Sequence, residues 1–337
     1  MKINRAVLGA VLTIVLFALP LTSEGQPARS AESVYRIGFL IPISVPDPAS
    51  AQPPIRRNLA FTERMKELGW IEGRTFKMEL RFSDRDEGKL RSVALELARL
   101  PVDVIVAVSS PAVQAARTAT DTIPIVAIDL ETDPVAKGFA TSLARPGKNI
   151  TGLFLDLPEL NGKRLELLRE LVPRLRRVAV LWEPGLDPAP LKAAEAAART
   201  ASVVLHVVSA SRRADFEQAL RAAAQQQSGA VMVIQSPLFD AYAKDIADLA
   251  VQHRLPSIAV FKRFAEAGGL MSYGPDLEAL FAKAADYVDR ISKGARAGDL
   301  PIERPARFEL VVNLKTAKAL SLTIPPSLLL RAGQVIE

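Results

Sequence analysis

Cysteine is absent from the 337-residue chain. Disulfide bonds and thiol chemistry are therefore excluded, and so is a lipid attached to a cysteine behind an export signal. If the chain is exported, we expect it to be free in its compartment and not a lipoprotein.

Histidine is almost absent, with two residues in the whole chain. His206 lies in a predicted strand and His253 near the end of a predicted helix, and neither has a Glu-x-x-His or His-x-x-x-His spacing. A Gly-x-Ser-x-Gly turn and a phosphate-binding Gly-Lys-Ser/Thr loop are also absent. Asp84 and Asp86 lie where they would cap a helix. We therefore predict no catalytic residue, no metal and no cofactor, so an enzyme is not favoured.

The chain also lacks a large excess of charge of one sign. It has 43 Lys and Arg residues and 37 Asp and Glu residues, which gives a net charge of +6. Basic residues pair at Arg56-Arg57, Arg176-Arg177 and Arg212-Arg213, without interleaved aromatic residues. Such pairs are typical of solvated helix edges. Nucleic acid is therefore not a predicted partner.

The N-terminus has the layout of an export signal. Lys2 and Arg5 precede an apolar run from Ala6 to Leu19, and Pro20 and small or polar residues follow. The run is too short to span a bilayer comfortably, so we predict a cleaved signal peptide at residues 1–25. The sites Ser23-x-Gly25 and Ala28-x-Ser30 both remain open. The mature protein is predicted to be periplasmic and monomeric.

The stretch from Val102 to Thr118 has the pattern of a strand, a sharp turn and a helix. Val102–Val108 is a nearly continuous, β-branched apolar run, as in a parallel strand buried on both faces. Ser109-Ser110-Pro111 then has the chemistry of a helix start. The N–H groups of the first turn, the helix dipole and two hydroxyls would meet at the strand's carboxyl end, which predicts an anion site. The alternative is that one serine only caps the helix.

Strands and helices alternate on both sides of this stretch, which indicates βαβ units and parallel sheets. Two series of similar size follow each other, so we predict two doubly wound, Rossmann-like α/β lobes with a central cleft. The C-terminal part is too short for a third lobe and is expected to complete the first two. The predicted lobes are residues 33–150 with about 270–300, and residues 151–268 with about 305–337.

The individual elements are predicted from the same periodicities. The predicted strands are Val34–Ile41, Thr75–Phe82, Val102–Val108, Ile123–Leu130, Asn149–Leu155, Arg177–Trp182, Val203–Val208, Ala230–Ile234, Ser257–Val260, Gly269–Tyr273 and Phe308–Asn313. The predicted helices are Ile55–Leu68, Glu87–Leu100, Asn161–Val172, Ala189–Ala201, Ala214–Gln226, Asp240–His253 and Asp276–Lys293. We expect Asn149–Leu155 to cross out of the first sheet.

Four longer segments resemble a known family. They are LARPGKNITGL (Leu143–Leu153), GKRLELLRELVP (Gly162–Pro173), FAEAGGLMSYGPDL (Phe264–Leu277) and FELVVNLKTAKALSLTIPPSLLLRA (Phe308–Ala332). They are similar to the ABC transporter substrate-binding protein family that includes the tryptophan/tyrosine-type receptors. The resemblance implies the type I periplasmic-binding-protein fold, with two α/β lobes joined by three crossovers. It also implies capture of a small solute and its delivery to a membrane ABC permease.

The resemblance carries over to particular residues. In relatives that bind aromatic amino acids, the turn matching Ser109-Ser110-Pro111 holds the ligand carboxylate and an acidic residue faces the ammonium, which makes Asp133 a candidate. Two loops depart from the family pattern. Leu181–Gly185 lacks the polar Asn-Pro turn that is common in relatives, and Gln235–Phe239 lacks the Asp-Asn pair of the aromatic amino-acid receptors. These departures leave the identity of the solute open.

The candidate ligand-binding residues follow predicted strands or lie in the matched segments. They are Ser109, Ser110, Asp133, Asp156, Trp182, Gln235, Ser236, Phe261, Phe264, Glu266 and Tyr273. Each has a structural alternative, since Asp before Pro forms turns, Asp156 could end a strand, Glu266 could be a solvated helix end, and aromatic residues more often belong to a core.

The favoured function is a solute-binding receptor of an ABC importer that closes two lobes on an amino-acid-like or carboxylate solute. The alternatives are an exported α/β enzyme that uses the same cleft and a ligand-sensing partner of a signalling system. The near absence of histidine and the absence of cysteine count against the enzyme. The signal segment counts against the sensor.

Overall fold

Strands and helices alternate along the chain in a computed structural model that describes residues 34–42, 55–84, 86–129, 132–154, 158–305 and 307–337. The predicted signal peptide, its two candidate cleavage sites and Asp156 lie outside the described residues. Among the described helices, none has the length and apolar character needed to cross a membrane.

Five parallel strands of the described chain form the first sheet. They are β1 (Tyr35–Ile41), β2 (Phe76–Phe82), β3 (Val104–Val108), β4 (Ile125–Asp129) and β5 (Ile150–Phe154). Their order across the sheet is β2-β1-β3-β4-β5. The central strands β3 and β4 are buried on both faces because helices cover the two sides, as their apolar runs predict.

Seven strands of the described chain form the second sheet. They are β6 (Arg177–Trp182), β7 (Val204–Ser209), β8 (Val231–Val233), β9 (Ser257–Ala259), β10 (Met271–Pro275), β11 (Phe308–Asn313) and β12 (Gln334–Ile336). Their order is β12-β11-β10-β9-β8-β6-β7, and the pair β10–β11 is antiparallel whereas the other pairs are parallel.

The helices cover both faces of the two sheets. They are α1 (Ile55–Glu67), α2 (Glu87–Arg99), α3 (Ser110–Ala119), α4 (Pro158–Leu171), α5 (Ala189–Thr200), α6 (Phe216–Gln225), α7 (Pro237–Ala241), α8 (Ala243–Gln252), α9 (Lys262–Glu266), α10 (Leu277–Ser292), α11 (Leu314–Ala319) and α12 (Pro326–Arg331). The predicted helix Asp240–His253 is two helices, α7 and α8, interrupted at Tyr242. The helices α9, α11 and α12 were not predicted, because five or six residues are too few to show a helical period, and the three residues of β12 are too few to show alternation.

The chain passes between the lobes three times. The first sheet with α1–α3 and α10 forms the first lobe, and the second sheet with the other helices forms the second. The crossings follow β5, β10 and the short 3₁₀ turn Ala297–Asp299. These features confirm the predicted fold class of two doubly wound α/β lobes.

Two elements lie in a different lobe from the one expected. β5 was expected to leave the first sheet, but it pairs in parallel with β4 over its whole length. The two strands approach closely at Gly152, which has φ +129°. A side chain at this position would have no room against the backbone of Ala127. β10 was expected in the first lobe, but it pairs with β9 and β11 because Leu270 and Met271 belong to the apolar core of the second sheet.

The crossings are tied together by buried polar contacts. The Tyr287 hydroxyl on α10 lies 2.6 Å from the carbonyl oxygen of Pro301 and 3.0 Å from Glu303 Oε1. Burial raises the pKa of Tyr287, so its hydroxyl keeps its proton. Thr151 on β5 donates a hydrogen bond to the Leu300 carbonyl over 2.9 Å. Hydrogen bonds therefore join β5 and α10 to the segment of the third crossing that leads into β11.

Replacing Gly152 with alanine tests this packing. A Cβ atom there would lie 2.2 Å from the Ala127 carbonyl oxygen, which is backbone that has little freedom to move. We expect Gly152→Ala to lower the free energy of unfolding by about 3 kcal/mol or more. The control Gly69→Ala also has a positive φ of +92° but meets no atom within 4 Å, so it should cost about 1 kcal/mol. Equal losses of unfolding free energy for the two variants in urea would show that β4 and β5 move apart easily to make room for the added Cβ atom.

Candidate functional site

A cavity of about 510 Å³ lies between the two lobes, where the carboxyl ends of their strands face each other. Its volume is within the range of small-molecule sites, roughly 300–1,000 Å³. The first lobe lines it with residues that follow β1, β2 and β3 and with the start of α2 and α3. The second lobe lines it with the loops after β6 and β8. Its lining includes Pro42, Ser83, Ser109 and Ser110 of the first lobe and Trp182, Glu183 and Gln235 of the second.

Ser109 has an unusual backbone for a residue with a side chain. It connects β3 to α3 with φ +83° and ψ 160°, a backbone conformation that is unfavourable for every residue except glycine. Its Oγ atom is buried and has no hydrogen-bond partner among the described residues. Ser109 occupies the N-cap position of α3, yet its side chain does not cap the helix. The alternative of a serine that only caps α3 therefore does not describe Ser109.

The first turn of α3 lies directly behind Ser109. The first N–H groups of any helix have no acceptor within the helix, and they form the positive end of its dipole. Here Val113 N donates to the Ser109 carbonyl over 3.0 Å and Ser109 N donates to the Ile128 carbonyl over 2.9 Å, while Pro111 has no N–H group, so Ser110 is the residue of this first turn that brings a backbone N–H to the cavity wall. Ser110 Oγ shares a hydrogen bond with Thr132 Oγ1, which is 1% exposed and joins this turn to the loop after β4. The arrangement has the donors that a carboxylate needs.

The wall of the second lobe combines an aromatic ring with a buried carboxylate. Trp182 ends β6 and is 8% exposed, and Glu183 follows it at 6%. The Ser236 hydroxyl donates a hydrogen bond to Glu183, and Ser236 Oγ accepts the N–H groups of Leu238 and Phe239 over 3.0 and 3.2 Å. Ser236 is thus the side-chain cap of α7 and holds Glu183 in place. Gln235 lies beside it at the cavity wall.

The predicted acidic residues lie elsewhere. Asp133 is exposed, and its Oδ1 atom accepts the N–H groups of Val135 and Ala136 over 2.8 and 3.1 Å. Its carboxylate therefore closes a local turn, which is the structural alternative stated above. Glu266 is exposed at the end of α9. Neither residue is among those that line the described part of the cavity.

The other predicted aromatic residues pack into the protein. Phe261 and Phe264 are 5% and 4% exposed. With Gln235 and Ser236 they line a separate cavity of about 20 Å³, which has room for one water-sized molecule. Tyr273 on β10 packs against the cores of both lobes and stacks on Phe308, with ring centroids 6.2 Å apart. Phe261 and Tyr273 therefore lie where the cores of the two lobes meet, Phe264 belongs to a core of the second lobe, and Trp182 is the predicted aromatic residue that lines the described part of the large cavity.

Comparison with known proteins identifies the family. The family model described as ABC transporter substrate binding protein matches residues 56–336, which is most of the chain. The chain belongs to this family. The resemblance read from the sequence and the predicted receptor function are thereby confirmed.

Individual relatives agree with this assignment. A tyrosine-binding protein of Clostridioides difficile is 26% identical over 271 residues, which cover 78% of this chain and 75% of the relative. Among solved structures, a conserved domain protein from Vibrio cholerae matches with a TM-score of 0.79 and 24% identity, covering 90% of this chain and all of that one. The ABC domain of Streptococcus pneumoniae in complex with L-Trp matches with a TM-score of 0.78 and 23% identity over the same shares. The two structures show the shared two-lobe fold.

Membership in the family establishes the general function of this substrate-binding protein. It is a receptor for a small molecule, its partner is an ABC permease, and it works on the outer side of the membrane that holds the permease. The family consists of receptors and not of enzymes. Within the described residues, no group of three or more histidine and acidic side chains is arranged to hold a metal ion.

An ion pair across the cleft was not predicted from the sequence. Lys137 Nζ, in the turn after β4, lies 3.0 Å from Asp187 Oδ2, which precedes α5 in the other lobe. Burial opposes the ionisation of Asp187, yet the Ala189 N–H and the Lys137 ammonium together hold the pKa of its carboxyl below the ordinary value of 3.8. Arg117 steadies the Lys137 turn by donating to the carbonyls of Gly138 and Phe139 over 3.1 and 3.0 Å. Both ends of the pair line the large cavity.

Asp187→Asn should loosen the contact between the lobes. Because the folded-state pKa of Asp187 is depressed, the pair contributes above about pH 4 and is lost as the pH falls further. We expect the variant to show a larger radius of gyration by small-angle X-ray scattering at pH 7 and low salt, and the wild type to approach that radius as the pH falls through the lowered pKa of Asp187. The control Lys163→Met breaks an exposed pair with Glu166 inside one lobe and should change nothing. Identical scattering of Asp187→Asn and wild type at every pH would contradict a role in lobe contact.

Proposed function

We propose that this substrate-binding protein captures a small amino-acid-like solute and holds its carboxylate on the turn between β3 and α3. The observation that carries the proposal is the strained Ser109, whose buried hydroxyl has no partner among the described residues and lies at a helix N-terminus. Strain of this kind persists where the surrounding structure enforces it, and it is concentrated at ligand sites. Ser110 and Gln235 stay candidate contacts at the same cavity.

The apolar part of the solute would lie against the rest of the cavity wall. Trp182, Leu90, Phe139 and Leu186 all line the cavity and offer aromatic and aliphatic surface. An aromatic amino acid would bury its ring there when the lobes close and exclude water. Two relatives support this class of solute, since one is named a tyrosine-binding protein and another was solved with L-Trp.

Export of this receptor to the periplasm is the second element of the proposal. It is supported by the basic residues Lys2 and Arg5 ahead of the apolar run Ala6–Leu19. We expect the full-length chain expressed in a Gram-negative host to be recovered from the periplasm with a new N-terminus soon after Gly25 or Ser30, and to elute as a monomer. Intact mass spectrometry of the periplasmic fraction measures the N-terminus. Retention of Met1 on the recovered protein would contradict the proposed cleavage.

Two substitutions of Ser109 separate strain from binding. Ser109→Gly removes the hydroxyl and relieves the backbone, so we expect the ligand-free protein to gain about 1 kcal/mol of unfolding free energy. Ser109→Ala removes the hydroxyl but keeps the strain. Both variants should bind L-tyrosine or L-tryptophan at least about 10-fold more weakly, because each loses a hydrogen bond to a charged group. Calorimetric titration and thermal unfolding measure the two effects.

A matched control is available for these variants. Ser228 also has a buried Oγ without a partner among the described residues, but it lies near the amino end of β8, away from the cleft. Ser228→Ala should leave binding unchanged. Full affinity in Ser109→Ala would show that the turn does not hold the carboxylate. If the wild type binds none of the amino acids in a broad panel, the proposed class of solute is wrong.

A further inference from the structure

We propose that the large cavity continues along α3 into an outer part that binds a second residue of the solute, so that the solute has the size of a dipeptide. The outer part is lined by Arg91 on α2 and by Gln114, Ala115 and Thr118 on α3. This inference rests on the proposed function, because the carboxylate of the same solute lies on the Ser109 turn. The sequence did not mark any of these four residues as a binding residue.

The cavity runs along one whole face of α3. The residues of this helix that line it recur at intervals of three and four, and they are Ser110, Pro111, Gln114, Ala115 and Thr118. Such intervals place side chains above one another on the same side of a helix. Thr118 lies about 12 Å beyond Ser110 along the helix axis, since each residue of a helix adds about 1.5 Å. The cavity therefore does not end at the turn that is proposed to hold the carboxylate.

The first lobe alone builds this wall. The helices α2 and α3 share one apolar core, to which Leu90 of α2 and Val113, Ala115 and Ala116 of α3 belong. Leu90 and Ala115 also line the cavity, so they form an apolar floor between the two helices. Because α2 and α3 are packed on each other within one lobe, the distance between them does not depend on the angle between the lobes. The outer part therefore keeps its shape when the lobes open or close.

The cavity is larger than one amino acid needs. A cavity of about 150 Å³ holds benzene, which corresponds to roughly 25 Å³ for each non-hydrogen atom. The cavity of about 510 Å³ therefore has room for roughly 20 such atoms, whereas L-tyrosine has roughly 13. The lobes already meet at the rim of the cavity, where Lys137 Nζ lies 3.0 Å from Asp187 Oδ2. The remaining room fits one small residue, which adds about five atoms, and not two.

The side chains of the outer part match the chemistry of a peptide group. A second residue brings a peptide N–H and a carbonyl, and both need hydrogen-bond partners when they leave water. The Gln114 side chain carries a donor and an acceptor, and its contact with Thr118 Oγ1 over 3.4 Å is long for a hydrogen bond. Gln114 is exposed, so it can turn toward a peptide group without disturbing the core. The outer part thus combines an apolar floor with the polar groups that a peptide bond requires.

The experiment compares L-tyrosine with L-alanyl-L-tyrosine on the mature full-length chain by calorimetric titration. Both probes are zwitterions that end in the same ring and the same carboxylate, so the comparison isolates the added residue. We expect the wild type to bind the dipeptide about 10-fold more tightly than L-tyrosine. This is the gain that about five further atoms bring at the efficiency of ordinary ligands.

Two variants change the outer part at exposed positions. Thr118→Trp fills it with a large side chain and should abolish the preference for the dipeptide, because the dipeptide loses more affinity than L-tyrosine. Gln114→Ala removes the amide and should reduce the preference in part. The control Lys66→Trp places the same large side chain on the exposed side of α1, outside the lining of the described part of the cavity, and should leave the preference unchanged. Thermal unfolding of each variant checks its fold.

The outcomes separate this proposal from the one on which it rests. If the wild type binds the dipeptide no more tightly than L-tyrosine, or if Thr118→Trp keeps the full preference, the outer part binds no second residue, while the carboxylate site still stands. The wild-type comparison needs no variant, so it remains decisive if a variant fails to fold. If the wild type binds neither probe and no other amino acid, or if Ser109→Ala binds both probes with full affinity, the proposed function is wrong and the role of the outer part falls with it.

Discussion

The direction of parallel strands is the constraint on which the rest of this protein depends. In each sheet the parallel strands end at one edge, and segments that follow β1, β2, β3, β4, β6 and β8 line a common cavity. The strained Ser109 is tolerated at this edge because both of its neighbours are firmly packed. β3 before it is buried, and Ala112, Val113 and Ala116 of α3 are fully buried behind it. The rigid elements therefore hold a turn that an isolated peptide would avoid.

Polar side chains of the two lobes lie at the cleft, whereas apolar side chains make the contact between the lobes behind it. Phe261, which precedes α9 of the second lobe, packs in the core of the first lobe, and Tyr273 contacts both cores. Tyr287 adds a buried hydroxyl that links α10 to the crossing that leads into β11. Apolar contacts are non-directional, so a small rotation of the lobes changes them little. The directional hydrogen bonds of Thr151 and Tyr287 instead lie beside the segments in which the chain crosses between the lobes.

The sequence predicted where individual strands and helices lie better than it predicted which distant strands and side chains they contact. β3 and β6 were located within two residues because β-branched runs are a local signal. The lobe of β10 was misplaced because sheet membership depends on a partner strand far along the chain. Asp133 was expected to face a ligand, yet a local turn occupies its carboxylate. The positive φ of Ser109 has no signature in its residue type, and Glu183 and Lys137 acquire their places only when two distant loops meet in the fold.

The strength of the ion pair between Lys137 and Asp187 bears on how the two lobes open and close. In the Lys137–Asp187 pair the lysine side chain is 53% exposed and the aspartate 24%. Pairs with this much exposure contribute between about 0 and 1 kcal/mol, because water and salt screen them. Such a contact shifts the balance between open and closed lobes by a small amount in the absence of solute. Under the proposed function, closure draws most of its free energy from the solute that is held on the Ser109 turn.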